Sequence, residues 1–283
     1  MPSFALLTQS VLSGLFVGSL YSLLGLGMSL SWRFLSIINL AHFGFVSLSA
    51  YLTYQLIETT GLNPIVALAL FVPLFFVAGS LFQYGLVRFK VGEFASLLVT
   101  FGVMIVIETF IQWIWTADFR KLDSSYATMS VSVGPIYVPV VEAVMFVIAT
   151  AVMIGMWAWL RFSYFGKALR ATCDDADMAA SFGVDHQRLG LFVAGIGTAS
   201  GAVAGVVFAL ISTLAPSQIG GWLGVVFATV ILGGLGNPLG LLLAGIGIGI
   251  SEALTMALIE PTWGPLVSFT LLVLILVLRP ERI

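Results

Sequence analysis

Nine apolar runs punctuate the chain, at about 11–31, 37–57, 63–87, 95–116, 139–160, 189–212, 222–236, 239–257 and 265–278. A bilayer-spanning helix needs about 20 predominantly apolar residues, and most of these runs approach that length. They are continuous and rich in Gly, Leu and Val, unlike the alternating segments of about ten residues that build a membrane β-barrel. Lipid offers no hydrogen-bond partners, so each span closes its backbone bonds within itself. The pattern therefore predicts an all-α polytopic transmembrane bundle of eight or nine spans. The run at 222–236 is short enough that a re-entrant segment competes with a full crossing.

Charge sets the orientation. With nine crossings and the N-terminus outside, the cytoplasmic side receives Arg33, Arg88, Lys90, Arg161, Lys167, Arg170, Arg188, Arg279 and Arg282, and the outside only Arg120 and Lys121. That asymmetry is the positive-inside pattern. A re-entrant 222–236 would move Arg279 and Arg282 outside and weaken it, so nine spans with a cytoplasmic C-terminus is the expectation. Met1 to Ser10 carries no basic residue ahead of the first apolar run, so that run is expected to be kept as a span rather than removed as a signal peptide.

Composition narrows the class. The chain has 283 residues, 60% hydrophobic and 8% charged, where soluble domains carry roughly a quarter charged residues. Little is left for a folded extramembrane part, so 1–283 reads as a single transmembrane domain. The net charge of -2 leaves no footprint for nucleic acid. One cysteine, Cys173, and two histidines, His42 and His186, leave no material for a disulfide or a His/Cys metal cluster. No nucleophile, base and orienting group share a recognisable arrangement. Gly166-Lys167-Ala168 lacks the glycine spacing and the hydroxyl of a phosphate loop, so the chain itself is expected to hold neither ATP nor another cofactor.

Against this apolar background, the few buried polar groups stand out. Glu108 and Glu252 lie well inside apolar runs, and Asn39 and His42 open the second one. Intramembrane ionisable groups are costly enough to be functional candidates, so all four are candidates for a substrate path. The plainer readings are that Glu108 reaches water from two turns below the outer boundary and that Asn39 caps its helix. Small residues four apart form stripes at Gly14 and Gly18, at Gly197, Gly201 and Gly205, and at Gly245 and Gly249. Such stripes let helices approach closely, either within one subunit or between subunits. Gly233, Gly234, Gly236, Asn237 and Pro238 join two spans as a tight hairpin, which is either punctuation or a hinge.

Residues 161–188 hold eight of the 24 charges. Within them Asp174 or Asp175 can cap a short helix, Asp177 adds favourable charge at its start, and Gly183 supplies a stop. The helix expected at about 175–182 groups Ala176, Ala179 and Ala180 on a small face that a partner can approach closely. Composition alone reads the segment equally as a solvated connector.

The run from Arg170 to Asp185, Arg-Ala-Thr-Cys-Asp-Asp-Ala-Asp-Met-Ala-Ala-Ser-Phe-Gly-Val-Asp, resembles the cytoplasmic loop of the membrane subunits of branched-chain amino acid ABC importers, the LivH type. Ile38-Asn39-Leu-Ala41-His42, the 233–240 hairpin, Ser251-Glu252 and Leu278-Arg279-Pro280 resemble other parts of that family in the same order. A glycine commonly follows the histidine in the family, whereas here Phe43 precedes Gly44.

The resemblance implies a permease subunit of the bacterial cytoplasmic (inner) membrane. It pairs with a second permease of LivM type, two cytoplasmic ATPase subunits that hold ATP and Mg, and a periplasmic substrate-binding protein. It makes 175–182 the coupling helix, with Arg170, Asp174, Asp177, Ala179, Ala180 and Gly183 toward the ATPase. The outer segment 117–138, with Asp118, Arg120, Lys121 and Asp123, is a candidate docking surface for the binding protein. The competing expectation is a stand-alone ion-coupled transporter using Glu108, Glu252 or His42.

Overall fold

A computed structural model of the chain describes residues 4–122, 129–134 and 136–278; Asp123, Arg279, Pro280 and Arg282 of the readings above lie outside the described residues. The protein is an all-α polytopic membrane protein. Its long helices are α1 (Phe4–Leu35), α2 (Ala41–Thr60), α3 (Pro64–Arg88), α4 (Glu93–Trp115), α5 (Val140–Phe162), α8 (His186–Ile211), α9 (Gln218–Gly233), α10 (Pro238–Leu258) and α11 (Gly264–Leu278). Two short helices, α6 (Tyr164–Asp174) and α7 (Ala176–Ser181), lie between α5 and α8. Among the described residues, six helices are long and apolar enough to cross a membrane: α1, α3, α4, α5, α8 and α10.

In lipid, apolar side chains gain little by leaving one apolar medium for another, so close backbone approach and hydrogen bonds set the packing. The glycine stripes do this inside the subunit. A Cβ added at Gly14 would lie 2.6 Å from the Gly249 carbonyl oxygen, and one at Gly18 would collide with the Gly245 carbonyl. The α1 and α10 backbones therefore touch along two helical turns, and Ser22 Oγ extends the seam by donating to the Leu241 carbonyl at 3.0 Å. The third stripe, on α8, faces α1 and α2: Gly197 meets Gly27, Gly201 meets the His42 ring, and Gly205 meets the α2 backbone at Val46.

α1 and α8 form the buried centre of the bundle, and α3, α4 and α5 turn apolar side chains such as Leu70, Leu81, Val106 and Val147 outward, as lipid-facing helices do. At about 1.5 Å per residue α1 is about 48 Å long and α9 only about 24 Å. The Trp222 ring stands edge-on to Tyr21 at 6.0 Å, so α9 starts beside the middle of α1. It ends at the hairpin, where the Gly236 N–H donates to Ser29 Oγ at 2.9 Å near the end of α1. The short apolar run at 222–236 thus reaches from mid-bundle to one end.

The hairpin is as tight as its sequence suggests. Gly234 and Gly236 take positive φ, +85° and +72°, a region other residues resist. Asn237 Oδ1 accepts from the Gly240 N–H, and Pro238 occupies the first turn of α10.

One element was not expected. β1 (Ser130–Val133) and β2 (Ile136–Pro139) form an antiparallel hairpin across Gly134 inside the 117–138 segment. The Gln9 side-chain amide clamps it to α1, donating to the Tyr137 carbonyl at 2.8 Å and accepting its N–H at 3.0 Å.

Candidate functional site

The four polar candidates occupy separate places. Asn39 does not cap α2. The flanking position is Leu40, which makes no side-chain cap, and Asn39 Oδ1 is buried without a hydrogen-bond partner. The non-helical backbone around it is held instead by Thr100 of α4, whose Oγ1 donates to the Ile38 carbonyl and accepts the Leu40 N–H, both at 3.2 Å.

His42 is fully enclosed between Gly27 and Gly201. Its Nε2 lies 2.9 Å from the Leu24 carbonyl, which only accepts, so Nε2 carries a proton. Glu108 is half-exposed on α4, 3.5 Å from the Gln112 side-chain nitrogen.

Glu252 is buried between three helices. Tyr21 Oη of α1 donates to Oε2 at 2.9 Å, and Ser268 Oγ of α11 donates to Oε1. A carboxylate with two hydroxyl donors is a satisfied polar knot that ties α1, α10 and α11 together. Tyr21 packs on Trp222, and Trp222 lines the cavity next to it.

That cavity, about 30 Å³, is walled by Leu24 of α1, Phe43, Val46, Ser47 and Tyr51 of α2, Phe208 of α8, Leu214 and Ala215 of the 212–217 segment, and Gln218 and Trp222 of α9. Phe43, which follows His42 directly, is part of this wall. The Tyr51 hydroxyl is buried without a hydrogen-bond partner. Its ring packs on Trp115 at 5.5 Å, and the Trp115 carbonyl accepts from Arg120 Nη2 at 3.2 Å. Arg120 also pairs by backbone with Leu214, N–H to carbonyl at 2.9 Å and the return bond at 2.6 Å. So Arg120 is a partly buried residue held beside Leu214 of the cavity wall, while Asp118 accepts from its neighbour Thr116 at 2.7 Å.

At the other end of the bundle, α6 and α7 form a rigid elbow. Asp175 ends α6 with its N–H bonded to the Ala171 carbonyl and opens α7 by accepting the Met178 N–H at 2.9 Å. Gly183 at φ +83° stops α7, with its N–H on the Ala180 carbonyl at 2.9 Å. The Arg170 guanidinium donates to the Leu160 and Arg161 carbonyls and so covers the free carbonyl end of α5, while the residue stays exposed.

Ala179 faces inward and is buried, so the alanine face is divided: Ala176 and Ala180 are exposed, with Asp174 and Asp177 beside them. At α7 the large exposed apolar groups are Met178 and Phe182, 58% and 81% exposed. Neither stood out in the sequence, although two large apolar residues four apart beside three aspartates are a visible signal for a protruding contact.

The elbow is anchored to the bundle. Cys173 Sγ lies 3.5 Å from the Arg33 carbonyl at the end of α1, and burial pushes its thiol pKa above the ordinary value. The hairpin reaches the same spot, since a Cβ at Gly236 would lie 2.6 Å from Arg33 Cγ. Arg33 therefore sits where α1, the hairpin and the elbow meet.

A family model described as branched-chain amino acid transport system / permease component matches residues 10–276. The chain is 26% identical to the high-affinity branched-chain amino acid transport system permease protein LivH of Escherichia coli (strain K12), across 97% of this chain and 94% of that one. It is 25% identical to the corresponding permease protein BraD of Pseudomonas aeruginosa, across 100% and 97%. LivH of Salmonella typhimurium aligns at 25% identity over 97% and 94%. No solved structure matches the chain significantly.

Proposed function

Because the chain belongs to the family of permease components of branched-chain amino acid transport systems, we propose that it is one membrane subunit of an ATP-driven importer of branched-chain amino acids, working in the bacterial cytoplasmic membrane. The observation that carries the coupling half of this reading is the capped elbow with Met178 and Phe182 projecting from it. Two apolar knobs flanked by exposed Asp174 and Asp177 suit a groove on a cytoplasmic ATPase subunit, which would hold ATP and Mg. The relatives' names support the substrate class. A second permease and a secreted binding protein complete the assembly.

Movement delivered at α7 passes to α6, and from α6 to the end of α1 at Arg33. The α1 helix then carries it to Leu24 at the cavity and to Tyr21 at the Glu252 knot. A loaded binding protein drives the cycle only by preferring one of the two permease conformations. The family assignment supports an importer driven by partner ATPases over a stand-alone ion-coupled transporter using Glu108, Glu252 or His42.

The test is substrate-stimulated ATP hydrolysis in the reconstituted complex. Phe182→Ala and Ala180→Trp should leave the permease inserted while stimulation falls at least about tenfold, the loss of a central contact at an interface. Wild-type stimulation in both variants would remove the assignment of α7.

A further inference from the structure

The cavity beneath the 212–217 segment combines features that no structural role in the bundle uses. Its walls are apolar and aromatic, and its polar residues are only Ser47, Tyr51 and Gln218. The Tyr51 residue is 1% exposed, yet its hydroxyl bonds to nothing. Arg120 Nε is likewise buried without a partner. Among the described residues the one ion pair is Asp185 with Arg188, so no described carboxylate pairs with Arg120. Trp115 links the two, its ring packed on Tyr51 and its carbonyl accepting from Arg120 Nη2.

Buried donors of this kind are normally satisfied, and a pair left open at the edge of an aromatic cavity calls for an acceptor that comes and goes. An arginine beside a phenol suits a carboxylate, which takes more than one donor and is held more strongly than a neutral group. Beside them, Leu24, Phe43, Val46, Phe208 and Trp222 offer a surface for a branched aliphatic chain.

We propose that this cavity is an amino-acid station inside the permease, with Tyr51 and Arg120 receiving the substrate carboxylate and the aromatic walls its side chain. The proposal rests on the reading of the chain as an importer of branched-chain amino acids and assigns the contacts that reading lacks. At about 30 Å³, the cavity admits water but not an amino acid. Occupancy therefore requires a wall to move, and the proposal assigns that movement to the 212–217 segment, which the backbone bridge between Arg120 and Leu214 holds in place. Arg120 thus both fastens the cover and contributes a donor beneath it.

The experiment uses the reconstituted transporter with its binding protein, fed L-leucine at saturation. Tyr51→Phe keeps the ring against Trp115 and deletes only the hydroxyl; transport should fall about tenfold, the loss of one hydrogen bond to a charged group. Arg120→Gln should lower transport further, with partial rescue by Arg120→Lys. If Arg120→Gln does not fold, Tyr51→Phe alone decides. A second measurement follows tryptophan fluorescence of the solubilised complex. L-leucine should perturb it at lower concentration than L-leucinamide, and Tyr51→Phe should shrink that difference.

Wild-type transport by Tyr51→Phe, or equal response to acid and amide, overturns the station while leaving the importer reading intact. A wild-type complex that carries none of leucine, isoleucine or valine overturns the importer reading itself.

Discussion

At the scale of single residues, the sequence and the structure weigh the same polar groups differently. Glu252 and Glu108 look alike in the sequence, each a carboxylate in an apolar run. Tyr21 and Ser268, which make Glu252 a buried knot, are 231 and 16 residues away, and no spacing announces them. Replacing Glu252 with Ala leaves two buried hydroxyls without their acceptor, so thermal unfolding in detergent should show a loss of about 1–3 kcal/mol. Glu108→Ala removes a half-exposed group near Gln112 and should stay within about 0.5 kcal/mol of wild type. Equal effects of the two would contradict the burial difference. Arg170 illustrates the same point, since no spacing announces that folding of α6 back on α5 brings its guanidinium to the Leu160 and Arg161 carbonyls. Cys173 offers a pH readout. Its thiol pKa is raised, so less thiolate is present near neutral pH than for an exposed cysteine. Maleimide labelling of Cys173 should be slow at pH 7 and accelerate steadily as pH rises past the ordinary thiol range. Rapid, pH-independent labelling would show that burial does not hold in the membrane.

At the scale of elements, legibility follows how local the determining physics is. The short helix α7 is readable because its stop and start lie within ten residues: Asp175, Asp177 and Gly183 are all in one stretch, and the helix starts one residue after the expected position and ends one before. The 233–240 hairpin is readable for the same reason. Which stripe of glycines meets which is a tertiary fact, and only the folded chain shows Gly14 and Gly18 laid against Gly249 and Gly245. The division of the alanine face, with Ala179 inward and Met178 and Phe182 outward, also depends on how α7 sits on the bundle. The β-hairpin at 130–139 is not announced in the sequence: its strands are four residues each, and the Gln9 contact that holds it to α1 comes from 128 residues away. Gly18→Leu provides the element-scale test. The Gly245 carbonyl occupies the place of the new side chain, so α1 and α10 must separate, and a loss of monodisperse folded protein on size exclusion is expected. Gly102→Leu, where a side chain meets open space on α4, should express as wild type. Normal behaviour of Gly18→Leu would mean that α1 and α10 do not pack through these glycines.

At the scale of the whole molecule, the orientation inferred from basic residues and the geometry of the bundle make one statement that chemistry can check. Arg33, the hairpin and the elbow gather at one end, with Arg88 and Lys90 at the end of α3 that accompanies α8. Gln9 and the β-hairpin meet at the other. The positive-inside asymmetry assigns the first end to the cytoplasm. With α9 extending only from mid-bundle, the 212–217 segment is non-helical backbone set into the protein beside Arg120, a placement that a membrane protein tolerates only where protein or a water-filled cavity surrounds it. A single native cysteine makes the test direct. In a Cys173→Ser background, Thr59→Cys at the end of α2 should react in intact spheroplasts with a maleimide that cannot cross membranes. Ser181→Cys on α7 should react only after the membrane is opened. Labelling of Ser181→Cys from outside would invert the molecule, detach α7 from any cytoplasmic ATPase and place the Tyr51 cavity on the wrong side to receive substrate from a binding protein. Orientation, coupling and the substrate station therefore stand on one measurable asymmetry.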